Sequence, residues 1–164
     1  MIRKLLNDGY INVYFDASHG CDMLTRRSCT GIILFLNNTP VKWFCKKQNT
    51  VESSTYGAEL VAGRLAAEMI IEFRYKMRML GVPVEGPSIM LGDNMSVIQN
   101  CSIPSSQLKK KHNAIAYHRV RECVAASILI VHKVDSKYNL ADILTKSLPA
   151  AQRLEMRKRI MFDG

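Results

Sequence analysis

Tyr10-Ile11-Asn12-Val13-Tyr14-Phe15-Asp16 is the stretch from which the rest of the chain can be read. It is rich in aromatic and β-branched residues, and Ile11, Val13 and Phe15 recur at every second position, the period of a strand with one buried face. Asp16 then closes the strand. An acid in that position stands where elements stop and sites form. A second apolar run ends the same way, with Ser88-Ile89-Met90-Leu91-Gly92 leading into Asp93 and Asn94.

Working outward, Cys29 to Leu36 and Val41 to Lys46 are further strands, joined by a turn at Asn37-Asn38-Thr39-Pro40, so the chain is expected to begin with three antiparallel strands. From about Ser54 to Leu80 the period changes. Glu59, Gly63, Ala66, Ile70, Phe73, Met77 and Leu80 follow steps of four and three, one face of a long helix that Gly81-Val82-Pro83 stops. Glu59 heads that stripe, and the small Gly63 and Ala66 let the helix lie close to a sheet. Ile89 to Leu91 form a fourth strand, Asn94 to Gln99 a short helix, Asn100 to Lys111 a polar loop, and His112 to Ala126 a second substantial helix with Ala116, Val120 and Cys123 on one face. Ile128-Leu129-Ile130-Val131 reads as a strand buried on both faces. Asn139 is expected to cap a helix that carries Asp142 in its first turn. After Pro149, residues Ala150 to Met161 read as a basic terminal helix. The order βββαβαβα, with one extra helix, makes a mixed sheet covered by helices.

With 164 residues, 48% of them hydrophobic, the chain can bury a core as one domain, since domains commonly hold roughly 100–150 residues. Residues 1–164 are expected to be that single domain, with a core at about 10–150 and the basic helix at about 150–161. The net charge of +9, from 23 Lys and Arg against 14 Asp and Glu, favours a polyanionic partner, because phosphate contacts release condensed counterions. A membrane surface is the rival polyanion. No apolar stretch nears the ~18 residues of a spanning helix, and Met1-Ile2-Arg3-Lys4 leads into no signal-peptide core, so a soluble protein without membrane contact is expected. Cys21, Cys29, Cys45, Cys101 and Cys123 are odd in number, widely spaced and without a Cys-x-x-Cys pair. Free buried thiols in a reducing compartment are the expectation.

Four acids from four elements, Asp16, Glu59, Asp93 and Asp142, thus gather in a basic protein. Taken singly, Asp142 is explained as a capping acid, Glu59 as an exposed helix residue and Asp93-Asn94 as a turn pair. Their joint placement at element ends and on an inward face favours one cluster. Like charges 4 Å apart repel by about 4 kcal/mol at an effective dielectric near 20, so the cluster calls for cations. Two Mg²⁺ balance four carboxylates, and hard oxygen ligands favour Mg²⁺ or Mn²⁺ over zinc. Ions about 3.5–4 Å apart clamp the attacking and leaving oxygens of a phosphodiester. The pattern points to a metal-dependent nuclease.

Several stretches carry a more specific likeness: Tyr14-Phe15-Asp16-Ala17, Thr25-Arg26-Arg27-Ser28-Cys29-Thr30-Gly31, Val41-Lys42-Trp43-Phe44-Cys45-Lys46-Lys47-Gln48 and Glu52-Ser53-Ser54-Thr55-Tyr56-Gly57-Ala58-Glu59. Further on come Gly92-Asp93-Asn94-Met95-Ser96-Val97-Ile98, Lys111-His112, Tyr117-His118-Arg119-Val120-Arg121-Glu122 and Ala141-Asp142-Ile143-Leu144-Thr145-Lys146-Ser147-Leu148. In this order the chain resembles the ribonuclease H domain of copia-type retrotransposon polyproteins. The resemblance implies a ribonuclease H-like α/β fold, a five-stranded mixed sheet in the order 3-2-1-4-5 with helices on both faces. It implies an endonuclease that cuts the RNA strand of RNA/DNA hybrids with two metal ions during reverse transcription, leaving a 5′-phosphate and a 3′-hydroxyl. It also implies a reverse transcriptase domain of the same polyprotein as partner and a cytoplasmic location in virus-like particles. By position, Asp16 would bridge both ions, Glu59 and Asp93 would complete one site and Asp142 would hold the other. The Lys- and Trp-rich insertion of some cellular enzymes is missing, and only the loop around Ser105 to Lys111 fills its place.

A histidine about ten residues before the last acid assists in such enzymes, which singles out His132; His112 and His118 match the copia-type pattern but suit packed or surface positions equally. Telling RNA from DNA relies on the 2′-hydroxyl, and Ser18, Ser53, Ser54, Thr55 and Asn94 are the polar neighbours of the acids, although Ser53 or Ser54 equally suits a helix cap. Arg26-Arg27, Lys46-Lys47 and Lys109-Lys110-Lys111 could meet phosphates, with Arg27, Lys47 and Lys111 the leading residues. Arg153, Arg157, Lys158 and Arg159 suit contact with nucleic acid or with the upstream reverse transcriptase. The rival expectation is an inactive module of the same fold that binds nucleic acid or supports a reverse transcriptase.

Overall fold

β1 (Ile11–Ser18) lies at the middle of the sheet because both its edges find partners: β2 (Cys29–Leu36) runs antiparallel to it and β4 (Ser88–Gly92) parallel. In the computed structural model, which describes residues 10–82, 84–108 and 111–161, β3 (Thr39–Lys47) and β5 (Leu129–Lys133) complete a five-stranded sheet ordered β3-β2-β1-β4-β5. The Met1 to Lys4 start, Pro83 of the expected helix stop and the Lys109-Lys110 part of the charge run lie outside the described residues. The expected mixed sheet and its order are found.

The alternation in β1 separates two cores. Ile11, Val13, Phe15 and Ala17 face α1 (Thr55–Met79), α2 (Met95–Ser102) and α3 (Ala114–Ala125), where Leu60, Ile70, Met90, Val97, Val120 and Leu129 are buried with them. Tyr14 faces the other way, edge-on to Phe35 at 5.7 Å, and packs with Ile33, Leu140 and Met156 beneath α4 (Asp142–Thr145) and α5 (Ala150–Ile160). Asp16 shares the Tyr14 parity and so projects toward α4. α1 starts at Ser54, whose hydroxyl accepts from the Gly57 amide. Its last turn closes when the Val82 amide bonds to Met77 O and the Gly81 amide to Arg78 O, the paired bonds of a Schellman stop.

The pairing of β1 with β4 ends at Tyr14 and Leu91. Beyond that point the parallel strands part, and Asp16 and Asp93 each stand two residues past the last pair. This gap at the carboxyl ends of neighbouring parallel strands is where open α/β sheets bind ligands.

Several expectations need correction. β1 does not stop at Asp16, because β2 pairs with it as far as Ser18 opposite Cys29. The turn after β2 is only Asn37-Asn38, with Asn37 at φ 56, and Thr39 and Pro40 already belong to β3. Pro40 is tolerated there because β3 is an edge strand and its register shifts at Leu34/Phe35. β5 is the opposite edge, not a doubly buried strand; Ile130 is half-buried, and the strand continues through exposed His132 and Lys133. Leu80 is exposed at the end of the α1 stripe. The five thiols are free, but only Cys101 and Cys123 are buried.

Gly31, opposite Asp16 in β2, is required by close approach. A Cβ there would lie 2.6 Å from Thr145 Cγ2 and 3.0 Å from both Ala141 O and Leu144 Cβ. Gly31→Ala should therefore lift α4 off the sheet, at a cost of about 1–3 kcal/mol. Thermal melting checks this; an unchanged melting temperature would mean that α4 tolerates the shift.

Candidate active site

At the open end of the β1–β4 gap, carboxylate oxygens of Asp16, Asp93 and Asp142 lie within 4.8 Å of one another. Asp16 is fully buried, Asp142 nearly so, and Asp93 is the most open of the three. Asp93 is held by chain direction: Gly92 lies so close to Phe15 that a Cβ would overlap the ring, and Asn94 caps α2 by accepting from the Ser96 and Val97 amides.

Asp142 reaches the cluster by a route the sequence did not reveal. Asn139 is not the cap of α4; the cap position is Ala141, which has no side-chain bond. Asn139 is instead completely buried, donating through Nδ2 to Phe15 O at 3.0 Å and accepting from the Ala141 amide at 3.3 Å. It thereby ties the last segment to the residue before Asp16. From α4 the Thr145 hydroxyl donates to Asp16 Oδ2, and Cys45 Sγ donates to Leu144 O at 3.1 Å, holding the same helix from β3. Lys146, next along, places Nζ 2.9 Å from Asp142 Oδ1, 3.2 Å from Asp16 Oδ1 and 3.9 Å from Asp93 Oδ2. Neither Thr145 nor Lys146 was singled out from the sequence; the one available signal was the i,i+4 spacing of Asp142 and Lys146.

Glu59 approaches from α1. Its Oε1 accepts from the Ala17 amide at 3.3 Å, and its buried Oε2 has no hydrogen-bond partner among the described residues. Burial, reinforced by the charges of Asp16 and Asp93, pushes the Glu59 carboxyl up to about 9. Burial also raises Asp142, to about 6, against the hydrogen bond from Lys146. For the Lys146 ammonium burial acts downward, but bonds and charges from Asp142 and Asp16 outweigh it and hold the group above its ordinary value. One ammonium cannot neutralise the three aspartates, and the Glu59 oxygen left without a hydrogen bond among the described residues adds an oxygen ligand beside the cluster. The all-oxygen donor set fits a hard divalent cation.

No protein-family model matches the chain. The Pol polyprotein of transposon RE2 from Arabidopsis thaliana, described as retrovirus-related, is 31% identical over 141 residues, which cover 84% of this chain and 10% of that polyprotein. RNase H1 from the halophilic archaeon Halobacterium salinarum NRC-1 superposes with a TM-score of 0.63 at 16% identity, covering 90% of this chain and 98% of that one. The LC11 RNase H1, solved with an RNA/DNA hybrid, gives 0.64 at 14% identity, covering 82% and 93%. The chain is homologous to part of copia-type transposon Pol polyproteins, and its fold is that of a ribonuclease H domain. It spans about a tenth of the length of the RE2 polyprotein.

In this ribonuclease H-like fold the expected substrate residues fall on several different elements. Ser18 ends β1, Thr55 opens α1 on the surface, and Ser54 and Asn94 serve as helix caps. Arg27 and Lys111 are exposed, and Lys47 is held 2.7 Å from Asp22. His132 sits in β5 opposite Leu91, and among the described residues it makes no ion pair or hydrogen bond to the acids. His118 is exposed beside the Tyr117 ring, while His112 Nε2 lies 3.7 Å from the buried Glu52 Oε2. Glu52, Gln48 and Asn113, all buried, line a cavity of about 480 Å³ with His112, Arg64 and Lys46. The sequence reading did not identify this second feature.

Proposed function

We propose that this domain is an endonuclease that hydrolyses the RNA strand of RNA/DNA hybrids, with Asp16, Glu59, Asp93 and Asp142 holding two divalent ions, Mg²⁺ or in its place Mn²⁺. The observation that carries this reading is the convergence of Asp16, Asp93 and Asp142 at the β1–β4 gap in a chain of net charge +9. Bound there, the ions supply an activated water and neutralise charge on the attacking and leaving oxygens.

The chain's own residues prepare that chemistry. Thr145 and Asn139 fix Asp16 and the start of α4, so the carboxylates need little rearrangement when cations and substrate arrive. Asp93, the most open acid, faces the approach of the scissile phosphate. Ser18, Ser54, Thr55 and Asn94 border the cluster as 2′-hydroxyl contacts, Arg27, Lys47 and Lys111 serve the backbone phosphates, and His132 has at most an accessory part from the rim. A scissile phosphate drawn against four acids is repelled unless cations intervene, which is why a purely binding module has little use for this cluster. Residues 10–161 act as one domain, with the reverse transcriptase of the same polyprotein as neighbour and virus-like particles as the setting. No helix among the described residues is long and apolar enough to cross a membrane.

End-labelled RNA/DNA hybrid, double-stranded RNA and double-stranded DNA compared in Mg²⁺ test the assignment. Cleavage confined to the RNA of the hybrid is expected. Binding to hybrid without cleavage would make the domain a supporting module, and cutting of duplex DNA would place it with strand-transferring relatives.

A further inference from the structure

Lys146 occupies the place where the acid cluster needs positive charge. Its ammonium stands 2.9 Å from Asp142, 3.2 Å from Asp16 and 3.9 Å from Asp93, so one cation already bridges all three carboxylates. The backbone at this position is anchored, the Lys146 amide donating to Asp142 O at 2.9 Å, while the side chain is 37% exposed. The main chain is fixed and the long side chain has a way out to solvent.

We infer that Lys146 is a built-in counter-ion that holds the acid cluster together before metal binds and must swing out when a divalent ion enters, so that this side chain sets the metal affinity of the site. The inference rests on reading the cluster as a metal site. A divalent ion ligated by Asp16 and Asp142 would lie within a few ångströms of the ammonium, and like charges that close in a largely buried setting repel strongly. The two cations therefore exclude one another. Entry of the ion includes the loss of three lysine contacts, which weakens binding relative to the acids alone and spares the empty site the full repulsion of its carboxylates. Outside the cluster, the freed ammonium meets water through the exposed end of its chain.

Mn²⁺ binding to the full chain, followed by electron paramagnetic resonance without nucleic acid, reads this directly. Lys146→Met, which keeps the length and removes the charge, should bind Mn²⁺ at least about tenfold more tightly than wild type, equivalent to 1.4 kcal/mol. It should also melt lower than wild type in chelator. Lys146→Arg, which keeps the charge, should show no gain in affinity and serves as the folded control; Lys146→Gln should behave as the Met variant does. Equal or weaker Mn²⁺ binding by both uncharged variants, with wild type still binding, overturns the inference and leaves the proposed function standing. Absence of Mn²⁺ binding in wild type and variants alike overturns both.

Discussion

Asn in place of Asp16 should reduce hybrid cleavage in Mg²⁺ at least about a thousandfold, roughly 4 kcal/mol of transition-state stabilisation, in a protein that remains folded. The buried Asp16 carboxylate is the one to which Thr145 and Lys146 both turn and beside which Glu59 lies. Asparagine keeps the shape and can still accept the Thr145 hydroxyl, so what is removed is charge and an oxygen ligand. Asp93→Asn should behave similarly, since that acid is the most open member of the cluster. Circular dichroism and melting alongside single-turnover cleavage check the pair. Cleavage within tenfold of wild type in either folded variant would reject the assignment of the site.

Glu59→Gln should show two effects of opposite sign. In Mg²⁺ it should lose cleavage. In chelator at pH 8 it should melt higher than wild type, because the fold no longer has to hold on this side chain a proton that the unfolded chain has released. The sign follows from linkage: the Glu59 carboxyl is pushed up to about 9 in the fold by burial and by Asp16 and Asp93, whereas in the unfolded chain it ionises near 4.3. Between those values the folded state must bind a proton that the unfolded state has released, so wild-type stability falls as pH rises through that window. Even two pH units of it correspond to about 2.7 kcal/mol, or roughly 5–10 °C in melting temperature for a domain of this size. At pH 5 the two proteins should nearly coincide. A Gln variant that melts lower than wild type in chelator at pH 8 would overturn this linkage.

Much of the fold was legible because its signals are local. Alternation marks β1, the steps of four and three mark α1, and Asp93 follows its strand directly. The errors arose where a partner lies far along the chain. Asn139 reads as a helix cap because the cap signal spans three residues, while its true partner is Phe15, 124 residues away. Lys146 stands four residues after Asp142, and nothing local says that Asp16 and Asp93 will stand around the same ammonium. The apolar run before His132 suits an edge strand as well as a central one, since composition does not record which neighbours are missing. Gly31 did carry a signal, because glycine inside a strand often marks close approach; which element would approach it could not be known. The cavity beside Glu52 joins β3, the loop before α1 and the start of α3, so it has no sequence signature of its own.

All five strands are complete by Lys133, whereas Asn139, Asp142, Thr145 and Lys146 follow them. Because a chain leaves the ribosome amino end first, the sheet can assemble while the centre is still missing its final acid, and the cluster is complete only once the closing segment docks beside Phe15. A protease cut just before Asn139 would leave the five strands of the sheet without Asp142, Thr145 and Lys146.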